Sequence, residues 1–304
     1  MRRLLPYAQL VRLPNVFTAL ADIGLGAFAA WAAAGAPLPW VPLILLLLAS
    51  ACLYSAGMVW NDFFDLEQDR RERPFRPLPS GRVTPGQAAL LGTGLLAAGV
   101  LLGTLAGRRA EGFEWQAPMT VLLLGAAILL YDAWLKRTWL GPVAMGSCRF
   151  LNVLLGLSLT DVTAWPWPVR LHVALTVGLY IVGVTWFART EARRSSQTAL
   201  ALAAATMLAA LVLALAVPVW FPPAQASPLF PYLLVGFGFL LALPVTEALR
   251  NPAPAQVQAA VKRAVLGLVV LDAVLATAVA GTFGLSLLLL LLPALYLGRW
   301  VYST

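Results

Sequence analysis

Hydrophobic residues in this chain follow neither a helical nor a strand period. They come in near-continuous runs of about 20, the length that crosses a bilayer as a helix, divided by short charged or proline-rich stretches. Such runs begin near Val16, Trp40, Gln87, Met119, Pro142, Val169, Ala199, Leu229, Ala264 and Leu285. The spacing predicts ten spans, or nine if the last two, divided only by Gly281-Thr282-Phe283-Gly284, count as one. Helices satisfy their own backbone hydrogen bonds across an apolar layer. The expected fold class is therefore all-α: a polytopic transmembrane helix bundle forming a single domain over residues 1–304. Composition agrees, since 61% hydrophobic and 11% charged residues lie far outside the range of a soluble domain. No internal repeat or low-complexity tract interrupts the pattern.

Charge then orients the bundle. Apart from Arg108, Arg109, Arg149 and Arg170, all 21 Lys and Arg fall at the N-terminus or in alternate loops, on one side of the ten-span count. This positive-inside bias places both termini and the loop after the second span in the cytoplasm, with the protein expected in the cytoplasmic membrane. The net charge of +8 thus reflects topology and membrane lipid, and gives no warrant for a nucleic-acid partner. Arg2 and Arg3 before an apolar run resemble a signal peptide, but Asp22 interrupts that run, so the first span is expected to be retained. Cys52 and Cys148 lack metal-ligand spacing and suggest neither a disulfide nor a redox site.

The second span runs into Asn61-Asp62-Phe63-Phe64-Asp65-Leu66-Glu67-Gln68-Asp69. If one helix continues from Leu43 to Asp69, then Asp62, Asp65 and Asp69 fall within an arc of roughly 60° at about 100° per residue. Three carboxylates on one face repel unless a cation sits among them, and magnesium prefers such all-oxygen surroundings. Arg70, Arg71, Arg73, Arg76 and Arg82 follow, with Pro74, Pro77 and Pro79 fixing the loop, and arginines offer bidentate donors to phosphoryl oxygens. Metal and arginine together form a diphosphate cradle. The bland alternative is a solvated loop between spans, which explains the charge but not the one-face spacing.

This run, N-D-x-x-D-x-x-x-D followed by R-x-x-R-P-L-P-S-G-R from Arg73 to Arg82, resembles the first aspartate-rich motif of the UbiA superfamily of intramembrane prenyltransferases. The resemblance implies magnesium-bridged binding of an isoprenyl diphosphate donor, ionisation of its allylic C–O bond and transfer of the prenyl group to an aromatic or lipid acceptor. It implies Asp62, Asp65 and Asp69 as catalytic residues and, with Asn61, as magnesium ligands, and Asn61, Arg73, Arg76 and Arg82 as substrate-binding residues. Arg12-Leu13-Pro14-Asn15 resembles the family's entry to its first helix, placing Asn15 in the pocket; Asp22, nearly on the same face, either lines the cavity or pairs with another helix. Tyr131-Asp132-Ala133-Trp134-Leu135-Lys136-Arg137 resembles the family's tyrosine-to-lysine motif, which implies diphosphate contacts from Tyr131 and Lys136. An Asp132–Lys136 helical ion pair is the alternative. Arg149, Asn152 and Gly156 in the fifth span form the R-x-x-N-x-x-x-G pattern of relatives labelled EboC-like. An arginine inside a span is expensive, so Arg149 either faces the pocket or pairs with Asp22 or Asp132.

Elsewhere the pattern fails or fades. After the sixth span the family carries a second D-x-x-x-D motif for a second magnesium, whereas this chain has Arg189-Thr190-Glu191-Ala192-Arg193-Arg194. Glu191, Arg193 and Arg194, with Arg189, then either take over diphosphate neutralisation or mark a non-catalytic isoprenoid-lipid binder or carrier of the same fold. A secondary transporter would show an inverted repeat or paired broken helices near the midplane, and the sequence has neither. His172, the only histidine, cannot make a metal site alone. Glu247 and Asp272 are expected to pair with polar neighbours, and 251–258 reads as a short connecting loop.

Overall fold

A computed structural model describes residues 4–34, 38–109, 112–191, 194–221 and 227–301. The apolar runs become α2 (Leu13–Ala34), α3 (Trp40–Phe64), α5 (Pro85–Leu105), α6 (Gln116–Ala133), α7 (Gly141–Leu157), α8 (Trp167–Ala188), α9 (Gln197–Leu215), α10 (Phe230–Arg250) and α11 (Pro254–Ala280). Short helices α1 (Leu5–Leu10) and α4 (Leu66–Glu72) lie at one end, and a two-stranded hairpin, β1 (Arg108–Arg109) and β2 (Gly112–Phe113), joins α5 to α6 at the other. Among the described residues, eight helical stretches are long and apolar enough to cross a membrane, while α7 is shorter. One of the eight, Pro254–Leu297, is a folded pair. At Gly281 the chain takes φ +63°, open to glycine, and returns through the 3-10 segment Gly281–Leu290 and α12 (Leu291–Leu297), which pack back on α11 and α2. The last two runs are therefore two limbs of a hairpin packed on one another.

α11 begins ten residues before the expected Ala264, absorbing most of the stretch read as a loop. Its first turns carry Gln256, Gln258, Lys262 and Arg263, polar groups that stay at the bundle end while the apolar remainder is buried. At the centre, α2 packs on α7, α11 and α3. A Cβ on Gly26 of α2 would lie 2.1 Å from the Gly156 carbonyl carbon, and one on Gly156 of α7 would lie 2.8 Å from the Asp22 carbonyl oxygen. Backbones this close admit only hydrogen at both positions. The far end of α7 is closed by Arg170, whose guanidinium donates to the carbonyls of Trp165, Leu157 and Thr160. These bonds satisfy carbonyls left free at a helix C-terminus.

Candidate active site

Two basic side chains capture the last carbonyls of α3. Lys136 Nζ donates to Asn61 O at 3.3 Å and Arg137 Nη2 to Phe64 O at 2.8 Å. The helix stops at Phe64, and α4 begins at Leu66. The single helix expected through Asp69 is thus two helices bent at Asp65, whose carboxylate turns to Lys136 (2.7 Å) and Arg137 (3.5 Å). Asp62 and Asp69 stay together, bridged by Arg76 at 3.3 and 2.7 Å, with Arg12 adding a contact to Asp62 at 3.2 Å. The three carboxylates expected on one face are split two and one. Among the described residues no three His, Cys, Asp or Glu side chains converge on a metal-sized site.

Asp62, Asp69 and Arg76 are all buried, and buried charges persist only when paired. Arg76 supplies the positive charge that two neighbouring carboxylates require. The donor set fits a hard divalent cation in kind, being entirely oxygen from Asp62, Asp69 and the amide of Asn61. That amide also donates to Asp132 Oδ1 at 3.0 Å. Asp132 and Lys136 are therefore not a helical ion pair: α6 ends at Ala133, 135–137 form a 3-10 turn, and each side chain takes a partner on or just beyond α3.

Beside this cluster lies a mouth of about 690 Å³. Arg12, Asn15, Asn61, Arg73, Arg76, Tyr131 and Glu191 line one part, and Val261, Val265, Leu266, Ala294 and Leu295 of the last hairpin line an apolar wall. Met58, Tyr131 and Met145 also line a second cavity of about 70 Å³ deeper in the bundle. Arg149 and Asn152 face that deeper chamber, and both alternatives for Arg149 hold, because it also pairs with Asp22 at 3.1 Å and stacks over Tyr54. Asn152 donates to Asp22 Oδ2 at 2.7 Å and accepts from Ser50. The buried Asp272 of α11 neighbours Asp22.

Other expected residues lie apart. Arg82 is exposed and staples its own loop, donating to Gln9, Ser80 and the Phe75 carbonyl. Arg189 donates outward to Thr138 O, and Arg194 is exposed and off the mouth. Arg193 lies outside the described residues. The physical reason is the turn after α8: the Thr190 and Ser195 hydroxyls bond each other and Ser195 N donates to Pro252 O, which leaves Glu191, alone among the described residues of that loop, on the cavity. Burial pushes the Glu191 carboxyl up, while Arg73, Arg12 and Arg76 pull it down less strongly. His172 has both ring nitrogens engaged, by Leu213 O and by the Trp220 indole N–H, as a structural histidine should.

Arg12 was legible as a membrane-side charge and as the start of the segment resembling the family's entry to its first helix, but not as a partner of Asp62. Its backbone sits at φ +48°, a left-handed conformation uncommon outside glycine, between α1 and α2. That turn swings the guanidinium onto Asp62. Burial works against its charge, but Asp62, Tyr54 and Asp132 together more than offset this and hold it raised.

The sequence profile of the UbiA prenyltransferase family matches residues 23–266. The chain belongs to the UbiA prenyltransferase family. The match does not single out the EboC-like branch. The chain is 34% identical over 153 residues to digeranylgeranylglyceryl phosphate synthase of Metallosphaera sedula, covering 50% of each chain. To protoheme IX farnesyltransferase 1 of Paramagnetospirillum magneticum it is 31% identical, over 50% of this chain and 53% of the other. The UbiA-family chain thus spans about half the length of the curated relatives it matches. Its fold is that of a UbiA homologue from Archaeoglobus fulgidus bound to GPP and Mg2+, with TM-score 0.60 at 14% identity over 89% of this chain and 99% of that one. It also matches a structure of digeranylgeranylglyceryl phosphate synthase, with TM-score 0.64 at 20% identity over 93% and 100%.

Proposed function

We propose that this protein transfers a prenyl group from an isoprenyl diphosphate to a lipid or aromatic acceptor, with the mouth on the cytoplasmic side of the cytoplasmic membrane. The observation that carries the reading is the two-sided mouth: cationic Arg12, Arg73 and Arg76 on one wall and the aliphatic last hairpin on another, beside the Asp62–Arg76–Asp69 cluster. An amphiphile with a phosphorylated head fits both walls. The homologue solved with GPP and Mg2+ supports the donor class, and the names of the relatives, one for a glyceryl phosphate and one for protoheme, support a lipid or aromatic acceptor.

Asn61, Asp62 and Asp69 would hold Mg2+, with Asp65 setting the bend through Lys136. When bound, the ion neutralises charge on the leaving diphosphate. Arg73 and Arg76 grip phosphoryl oxygens, and Tyr131 and Asn15 close the head-group end. The allylic C–O bond breaks with its electron pair leaving on pyrophosphate. The acceptor nucleophile bonds to that carbon and gives up a proton. The aliphatic wall keeps water from the developing cation.

The test is pyrophosphate release by purified protein from geranyl, farnesyl or geranylgeranyl diphosphate, with Mg2+ and a membrane lipid extract. Release that disappears in Asp62→Asn is expected. The split of the carboxylates and the lack of a second aspartate motif favour one other reading, an isoprenoid-lipid binder without turnover. Magnesium-dependent donor binding with no pyrophosphate from any donor would select it.

A further inference from the structure

The mouth carries more positive charge than its own carboxylates offset. Arg12 and Arg76 are matched by Asp62 and Asp69. Arg73, Lys262 and Arg299 also line the cavity, and among the described residues none has a carboxylate within the 4.0 Å of an ion pair. Glu191 is the single acidic side chain among the described lining residues. Such a surplus in a partly apolar cavity calls for an anion.

The fold explains why Lys262 and Arg299 are there. α11 starts at Pro254, and Gln258, Val261, Lys262, Val265 and Leu266 all line the mouth, the i, i+3, i+4, i+7, i+8 stripe of one helix face. Arg263, the next residue and exposed like Lys262 and Arg299, is off the stripe and does not line the mouth. The return pass brings Ala294, Leu295, Gly298 and Arg299 to the same cavity. Of the described residues in the loop between α8 and α9 only Glu191 lines the mouth, and Arg189 and Arg194, two of the arginines expected to stand in for a second magnesium site, do not.

We infer that Lys262 and Arg299 bind the donor diphosphate, so that the last hairpin supplies as side-chain cations the neutralisation that a second aspartate motif would arrange through an ion. The inference rests on the donor-binding reading of the mouth. It assigns the hairpin a direct part in the head-group site, and it separates these two residues from Arg250 and Arg263, which are exposed and do not line the mouth.

The experiment titrates geranyl S-thiolodiphosphate, a slowly ionising donor analogue, into detergent-solubilised protein at fixed Mg2+ by calorimetry. Lys262→Gln/Arg299→Gln is expected to weaken binding at least tenfold, Arg263→Gln to leave it as in the wild type, and Lys262→Arg/Arg299→Lys to retain most of it. Unliganded melting temperatures show that each variant is folded. Phosphatidylglycerol added to the micelles provides the other source of phosphate. If the double Gln variant loses only the stabilisation given by this lipid and binds the analogue within twofold of the wild type, the two residues are lipid anchors and the inference is overturned. If the wild type itself does not bind the analogue, the donor-binding reading falls, and this inference with it.

Discussion

The crossing of α2 and α7 makes a prediction whose size can be worked from distances. A methyl group at Gly26 would sit 2.1 Å from the Gly156 carbonyl carbon and 2.3 Å from its oxygen, where ordinary contact begins at 3.4 Å. Gly26→Ala must therefore part the helices by about 1.3 Å, because backbone cannot step aside as a side chain can. At Gly156 the deficit is smaller, about 0.6 Å, against Asp22 O. Overpacking of this kind costs about 1–3 kcal/mol, or a fall of roughly 2–12 °C in melting temperature at about 2–4 °C per kcal/mol. Parting by an ångström also stretches the Asn152–Asp22 bond from 2.7 Å and the Arg149–Asp22 pair from 3.1 Å past hydrogen-bonding range. Gly94 of α5 is the control: exposed, helical and with nothing within 4 Å of an added methyl, it should gain up to about 1 kcal/mol from alanine. The assay is thermal unfolding in detergent, followed by tryptophan fluorescence. The order expected is Gly94→Ala at or above wild type, then Gly156→Ala, then Gly26→Ala lowest. Equal melting of Gly26→Ala and Gly94→Ala would refute the argument that backbone contact joins α2 to α7.

Two further outcomes check orientation and charge. A cysteine at Gln68 should react with a membrane-impermeant maleimide only from the cytoplasmic face and one at Trp167 only from the opposite face, and the reverse pattern would overturn the charge-based orientation. Glu191 has its carboxyl pushed up by burial, so the native state holds its proton more tightly than the unfolded chain. Stability from this group is present below the ordinary glutamate value near 4.3 and is lost as pH rises through the raised native value. Glu191→Gln should flatten that decline in melting temperature, and an unchanged slope counts against the assignment.

The bundle was legible because a bilayer imposes one solution on 20-residue apolar runs, and nine of the ten span starts fall within about four residues of their expected positions. The exception, α11, shows what hydropathy misses: a helix running into water has no apolar signature for its first turns. Asn61, Asp62 and Asp69 were legible as a motif, but the bend at Asp65 was not, since its cause is Lys136 and Arg137, some 70 positions away. Gly156 stood out only as part of a pattern, and its reason, contact with α2, exists only in three dimensions. Lys262 and Arg299 looked like ordinary membrane-side charges, and nothing local distinguishes Lys262 from Arg263. Helical phase relative to a distant cavity separates them.

The two-sided mouth also decides what concentration means for this protein. On the donor-binding reading, a cavity with a cationic wall and an aliphatic wall at the end of a bundle of long apolar helices would sample ligands dissolved in the bilayer. Its occupancy then follows the mole fraction of the amphiphile among surrounding lipids, so adding inert lipid at constant bulk donor dilutes the ligand and empties the site. Encounter is a two-dimensional search, and its rate is set by lateral diffusion and membrane fluidity.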